Sequence, residues 1–164
     1  MPILHTLSIW LHLIGIVLWL GAILFFLIAF APAVHSLPAV TSIQTLNQGR
    51  IYLEIFSWLG IALLLITGTV NLFLRSQATA QLSQYYVIVL SVKLVLFSAM
   101  LAHHALQVFK YAPKIAALTS ENPAELTFWP EPLRSHWKKW FMLLKINAAL
   151  GSMVLLLGLA LLQS

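Results

Sequence analysis

The chain has 164 residues, of which 61% are hydrophobic and only 8% charged, with a formal net charge of +5. A soluble domain is usually about one quarter charged, so this composition excludes an ordinary soluble domain and indicates a membrane protein. Cysteine is absent, which excludes disulfides, thiolate metal sites and thiol redox chemistry. The excess of basic residues is typical of a protein that is oriented in a bilayer, so no nucleic-acid partner is expected.

Four segments are long and apolar enough to cross a bilayer, which takes about 20 residues. They cover residues 8–30, 55–74, 86–109 and 140–162. Four spans cannot close a barrel, so each is predicted to be a helix. The fold class is therefore all-α, an integral membrane four-helix bundle that residues 1–164 form as a single domain.

The connections between the spans differ in length and composition. Pro32 and Pro38 are predicted to end the first helix. The more polar residues 39–53 either extend the second helix beyond the bilayer or lie along its surface. The connection 75–85 is short, whereas the proline-rich loop 110–137 is the longest and is predicted to be ordered only in part.

Basic residues predict the orientation, because cytoplasmic loops of membrane proteins carry an excess of Lys and Arg. The two connections that share one side contain Arg50, Lys110, Lys114, Arg134, Lys138 and Lys139, whereas the other side has Arg75. Both termini are therefore predicted to face outward, with the long loop in the cytoplasm and a bacterial inner membrane as the location. Trp129, Trp137 and Trp140 near the cytoplasmic boundary are typical of an aromatic belt.

Two similar short motifs suggest an internal repeat. The motifs FAPAV (30–34) and YAPKI (111–115) are offset by 81 residues, and each is predicted to end an odd-numbered helix. The same offset aligns His12 with Lys93. A parallel repeat around an axis along the membrane normal would place these two side chains at similar depth.

Polar side chains inside the candidate spans are costly, and each is a candidate functional residue for that reason. At a rise of about 1.5 Å per residue, they fall into two layers. The outer layer contains His12, Asn71 and Lys93, with Thr67 slightly deeper, and the inner layer contains His103, His104 and Asn147, near Ser57 and Trp58.

Helical spacing predicts which of these side chains face one another. Lys93 and His104 are separated by about three helical turns and share a face, so His104 is predicted to point inward, with His103 about 100° away. His5 and His12 also share a face. Since His12 and His104 differ by about 20 Å in depth, they cannot bind one metal ion, and each would need its own site.

These residue types point to metal or cofactor chemistry. Imidazole binds heme iron and copper, and a buried lysine holds an anionic group such as a propionate or changes its protonation state. The candidate metal ligands are His12, His104, His103 and His5; the candidate cofactor-binding residues are His12, His104, Lys93 and Asn71, and Lys93 is the candidate catalytic residue. The alternative is structural, with the histidines bonded to neighbouring helices and Lys93 snorkelling to the surface.

Two stretches resemble a known family. SWLGIALLLITGTVNLFLR (57–75), followed by YYVIVLSVKLVLFSAML (85–101), resembles the copper-resistance protein D (CopD) domain. That family shows a Thr-Gly pair in one helix, matched by Thr67-Gly68, and a lysine in the next, matched by Lys93. The resemblance covers about residues 8–115 and implies a membrane protein that handles copper.

A second resemblance is to the HemJ family of heme-b-containing protoporphyrinogen oxidases. LHLIGIVLW (11–19) looks like the first-helix motif of that family, and KLVLFSAMLAHH (93–104) looks like its Lys-to-His helix. This implies His12, Lys93 and His104 as heme or substrate residues. The family's first helix continues into an aromatic stretch with an arginine, which is absent from FFLIAFAPAV (25–34), so a porphyrin substrate is the less favoured part of this resemblance.

Three functions remain open at this stage. The first is CopD-type handling of copper or heme, and the second is a HemJ-like heme-b redox protein that exchanges electrons or hydrogen with quinone or porphyrin. The third is a non-catalytic subunit of a larger membrane complex, packed through small residues such as Gly15 and Ala22. Whether the protein is an enzyme stays open. Expected partners are the lipid bilayer and either further copies of the chain or a larger complex.

Overall fold

The computed structural model describes residues 2–78, 83–121 and 128–162, and these form four long helices. Helix α1 begins at Pro2 and ends at His35, α2 is Ala39–Ala78, α3 is Gln84–Ser120 and α4 is Glu131–Leu162. By length and composition, each is apolar enough to cross a membrane. The predicted all-α class and its four candidate spans are therefore confirmed.

All four helices are longer than the apolar segments that predicted them. Residues 39–53 belong to α2, which agrees with the first of the two alternatives for this segment. Residues 110–120 are helical and 131–139 are the start of α4, so most of the predicted loop 110–137 is not a loop. Apolar composition marks only the part of a helix that lipid requires, and polar turns beyond it leave no such signal. Residues 79–82 and 122–127 of the predicted connections lie outside the described residues.

Both Ala-Pro motifs lie inside helices and do not end them, so that prediction was wrong. Helix α1 contains π-helical turns at Val17–Gly21 and Phe26–Phe30, and α3 contains one at Leu106–Tyr111. The last two turns directly precede Ala-Pro. Proline lacks an N–H and clashes with the carbonyl group four residues earlier in an α-helix, and a wider π-helical turn relieves that clash. The two similar motifs thus have the same local structure, a π-helical turn followed by Ala-Pro.

Neighbouring helices in the bundle run antiparallel. At the α3–α4 contact, Asn147 Nδ2 donates to the carbonyl oxygen of Met100 at 3.3 Å, and Gln107 Nε2 donates to that of Trp140 at 3.1 Å. These two bonds are seven residues apart on both helices, so they fix the register of α3 against α4 over two turns. We call the end where α1 and α3 begin the termini side, and the end where α4 begins the loop side.

Helices α1 and α2 approach closely at a pair of glycines, Gly15 and Gly60. A Cβ atom on Gly60 would lie 2.9 Å from the Cβ of Trp19 and 3.0 Å from the carbonyl oxygen of Gly15. Since two of the nearby atoms belong to the α1 backbone, no movement of a side chain could make room for a Cβ atom at Gly60. Small residues allow such close helix packing, and here the packing brings Trp19 into the centre of the bundle.

Aromatic side chains fill the loop side of the bundle. Trp137 and Trp140 are 2% and 1% exposed and pack edge to face, with ring centroids 5.4 Å apart. Trp140 also contacts Phe26 of α1. These two tryptophans therefore belong to the core and not to a lipid-facing aromatic belt, so the belt prediction was wrong for them; Trp129 is partly buried and stacks on His35.

Candidate polar sites inside the bundle

The first polar site joins α1 to α2 near the termini side. His12 Nδ1 lies 2.8 Å from the hydroxyl oxygen of Thr67, and Ser8 Oγ donates to the carbonyl oxygen of Thr67 at 3.4 Å. Thr67 is buried and His12 is partly buried. His12 of the predicted outer layer is therefore in direct contact with Thr67, which was predicted to lie slightly deeper.

The hydrogen bonds of Thr67 fix the protonation of the His12 ring. The Thr67 hydroxyl donates its single proton to the carbonyl oxygen of Leu63 at 2.6 Å. Its oxygen can therefore only accept from His12, which makes Nδ1 the protonated nitrogen. Nε2 of His12 is left with its lone pair. Histidines that bind metals are oriented in this way, with one nitrogen held by a second group and the other nitrogen free to coordinate.

Lys93 of α3 belongs to the same region. Its side chain extends over Gly158 of α4, where an added Cβ would stand 3.4 Å from Nζ. Glycine at that position leaves room for the ammonium group. Asn71 follows Thr67 by one turn on α2, and its Oδ1 atom is buried without a hydrogen-bond partner among the described residues.

The second polar site surrounds His104 in α3. This side chain is 3% exposed, which agrees with the inward direction predicted from its spacing to Lys93. Its ring lies between two indoles, with centroids 5.0 Å from Trp58 of α2 and 6.4 Å from Trp19 of α1, both edge to face. Three helices therefore meet at this imidazole.

Gln107 determines the protonation of His104. The Gln107 amide group already points its Nε2 atom at the carbonyl oxygen of Trp140. Its Oε1 atom is therefore the amide atom left to accept a hydrogen bond from the His104 ring, which lies three residues earlier on the same helix face. Nε2 of His104 is buried without a partner among the described residues, so the arrangement favours a proton on Nδ1, towards Gln107, and a lone pair on Nε2.

Sequence reasoning missed Gln107 and the contact of Trp19 with His104. Gln107 follows His104 by three residues, which places both on one helix face, so that spacing could have identified it. The contact of Trp19 depends on the close approach of α1 to α2, for which a single sequence holds no signal. Another omission is Arg50, which is buried on α2 and paired with Glu54 at 2.6 Å.

The remaining candidates do not join these two sites in the structure. His5 is exposed near the start of α1, and His103 is partly buried with its Nδ1 atom unpartnered among the described residues. Within residues 2–78, 83–121 and 128–162, no group of three or more His, Cys, Asp or Glu side chains could hold a metal ion. The described part of the chain thus offers single imidazoles rather than a cluster of ligands.

Comparison with known proteins identified no similar protein. No family model matches the chain, and neither a curated protein nor a solved structure matches it. The resemblances to the CopD and HemJ families therefore stay predictions, and function has to be inferred from the two polar sites.

Proposed function

We propose that this chain is an integral protein of a bacterial inner membrane that binds heme b through His12 and serves electron or hydrogen transfer. The observation that carries the proposal is the fixed state of His12, since the Leu63–Thr67–His12 hydrogen bonds leave a lone pair on Nε2. A neutral imidazole with one nitrogen held in this way would be suited to hold heme iron through its other nitrogen.

The ligand set favours heme over copper. Selective copper sites collect several nitrogen or sulfur ligands around one ion, and the described residues contain no group of three or more candidate ligands. The porphyrin of a heme supplies four nitrogens of its own, so one imidazole from the protein suffices. His12 would therefore hold the heme through Nε2, and the heme would supply the redox chemistry.

The neighbours of His12 would complete the binding of a heme. The Lys93 ammonium group, which lies over Gly158 of α4, would hold a propionate or another carboxylate, as a lysine beside an anionic group does. The buried Oδ1 atom of Asn71 would accept a hydrogen bond from a protonated group of the ligand. Bound heme b would supply one-electron chemistry, exchanged with quinone or, in the less favoured case, with a porphyrin.

The test is an absorption spectrum of the detergent-purified protein, oxidised and then reduced with dithionite, with iron and copper quantified on the same sample. A Soret band with sharp reduced α and β bands is expected for the wild type. His12→Ala is expected to lose most of the band, whereas His136→Ala is the matched control because His136 lies on the loop side and bonds the carbonyl oxygen of its own helix at Pro132.

Other outcomes of this measurement assign the other functions. Stoichiometric copper without a Soret band would reject the heme proposal and favour copper handling through His12 and His5. Neither metal, in protein purified with added hemin, would favour a non-catalytic subunit of a larger complex. A band that survives His12→Ala but not His104→Ala would move the heme to the second polar site.

A further inference from the structure

We infer that His104 and Trp19 form a second site, in the interior of the bundle, that binds a hydroxyl group. Nε2 of His104 accepts a hydrogen bond from that group, and Nε1–H of Trp19 donates one to it. Both atoms are buried, and neither has a hydrogen-bond partner among the described residues. This inference concerns α3 and the centre of the bundle, and it does not depend on heme at His12.

Both unpartnered atoms belong to side chains that are almost fully buried. His104 is 3% and Trp19 2% exposed. Leaving a buried donor or acceptor unpaired costs about 1–3 kcal/mol, and buried polar groups are rarely left so. Two such groups on touching side chains therefore indicate a ligand that satisfies both.

The chemistry of the two atoms selects the ligand. Nε2 of Gln107 is engaged with the carbonyl oxygen of Trp140, which leaves its Oε1 for Nδ1–H of His104; Nε2 of His104 is then an acceptor, and the indole nitrogen of Trp19 is only a donor. The group between them must donate one hydrogen bond and accept another, which a hydroxyl does with a single oxygen. The two rings are in edge-to-face contact, with centroids 6.4 Å apart, and we infer that one oxygen lies within hydrogen-bond distance, about 2.9 Å, of both nitrogens.

The walls of the site are apolar and include a side chain on the bundle surface. Phe97 packs edge to face on Trp19 with centroids 5.5 Å apart. Trp58 covers His104 from α2 and is 38% exposed, so it separates the imidazole from the bundle surface. The hydroxyl has two sources that fit this position: an internal water, or the ring hydroxyl of a lipid-soluble quinol that enters beside Trp58.

Asn147 gives the site a further acceptor on α4. Its side chain is fully buried, and its Nδ2 atom donates to the carbonyl oxygen of Met100. Met100 precedes His104 by one helical turn, so Asn147 lies beside the backbone of that turn. The Oδ1 atom of Asn147 has no partner among the described residues, so it can accept from a second hydroxyl or from a water bonded to the first.

The test is solid-state nitrogen NMR of the full chain, labelled with ¹⁵N-histidine and reconstituted in phosphatidylcholine vesicles. His104→Gln identifies the His104 signals by their loss. His104 is expected to show a protonated Nδ1 and an unprotonated Nε2 that receives a hydrogen bond. Magnetisation transfer from water to Nε2 without additive assigns the hydroxyl to water, whereas a saturable shift on addition of decylubiquinol assigns it to a quinol.

Trp19→Phe removes the donor and keeps an aromatic ring at the same place. It is expected to weaken the water transfer, or to raise the half-saturating concentration of decylubiquinol, by about five- to tenfold, because one hydrogen bond is lost. Trp137→Phe is the matched control, since Trp137 is equally buried and its Nε1 is also unpartnered in the described part of the chain. It should leave the His104 signals unchanged.

Three results would overturn the inference. One is a protonated Nε2 with the lone pair on Nδ1, and another is an Nε2 signal that responds neither to water nor to decylubiquinol. The third is a change of the Soret band in His104→Gln, which would show that this nitrogen binds heme iron. Loss of heme in His12→Ala with unchanged His104 signals would leave both sites as assigned, so failure of one proposal is distinguishable from failure of the other.

Discussion

At the scale of single residues, the Thr67 hydroxyl controls what His12 can bind. We expect Thr67→Val to leave the helix intact and to free the His12 ring, because valine keeps the shape of threonine but offers no acceptor to Nδ1. Loss of a group that orients a metal ligand typically lowers metal affinity by about 10–100-fold. Titration of heme-depleted protein with hemin, followed at the Soret band, measures this change.

Thr69→Val is the control for that experiment. Thr69 lies two residues further along α2, is exposed, and its hydroxyl donates to the carbonyl oxygen of Leu65 in the same way as Thr67 donates to Leu63. The two substitutions therefore remove the same bond within the helix. Equal hemin affinity in both variants would refute the role assigned to Thr67.

Residue types and spacing predicted part of the candidate sites. The inward direction of His104 follows from its distance to Lys93 along one helix. The outer layer was predicted to contain His12, with Thr67 slightly deeper, but the contact between these two side chains was not predicted. The protonation state of each imidazole could not be predicted from sequence, because it depends on the hydrogen bonds of the residue that the imidazole contacts. For His12 that residue is Thr67, which bonds the backbone carbonyl of Leu63, a group that any helical residue has. For His104 it is Gln107, whose spacing is visible in the sequence but whose amide direction depends on the carbonyl group of Trp140 in α4.

At the scale of helices, the contact between α1 and α2 depends on Gly60. We expect Gly60→Ala to lower the free energy of unfolding by about 1–3 kcal/mol, the usual cost of an overpacked interior, because the new methyl group would meet the backbone of α1. Unfolding in mixed micelles with increasing SDS, followed by tryptophan fluorescence, provides the measurement.

Gly21→Ala serves as the comparison on the other helix. A Cβ atom at Gly21 would have its nearest neighbour at 3.7 Å, the side chain of Val17. Alanine is better than glycine in a helix by about 1 kcal/mol, so Gly21→Ala should be neutral or stabilising. If Gly60→Ala is equally harmless, the close approach of α1 to α2 is not present in the protein.

The number of helices was predictable from sequence and their extent was not. Each bilayer crossing needs a run of apolar residues, and the four runs are separated by charged or proline-rich segments. Where α2 begins at Ala39 and α4 at Glu131, the sequence is polar and resembles a loop. The prolines were predicted to end helices, which was wrong for Pro32 and Pro113. A π-helical turn before each of them keeps the helix intact, and a sequence gives no clear sign of such a turn.

At the scale of the whole molecule, charge predicts that the loop side faces the cytoplasm. The chain has no cysteine, so single cysteines can report the orientation without background. Ser76→Cys, near the end of α2 on the termini side, should react with a membrane-impermeant maleimide on intact spheroplasts. Ser135→Cys, in the second turn of α4 on the loop side, should react only after permeabilisation; both positions are exposed. The reverse pattern would invert the proposed orientation.

The two π-helical turns of α1 should differ in whether they tolerate the deletion of one residue. Such a turn is an α-helical turn with one extra residue, so a chain one residue shorter within Val17–Gly21 could return to an α-helix there without rotating its flanks. The turn Phe26–Phe30 has no such freedom, because Pro32 needs the wider backbone before it. Length variation in this helix should therefore be tolerated at the first turn and rejected at the second.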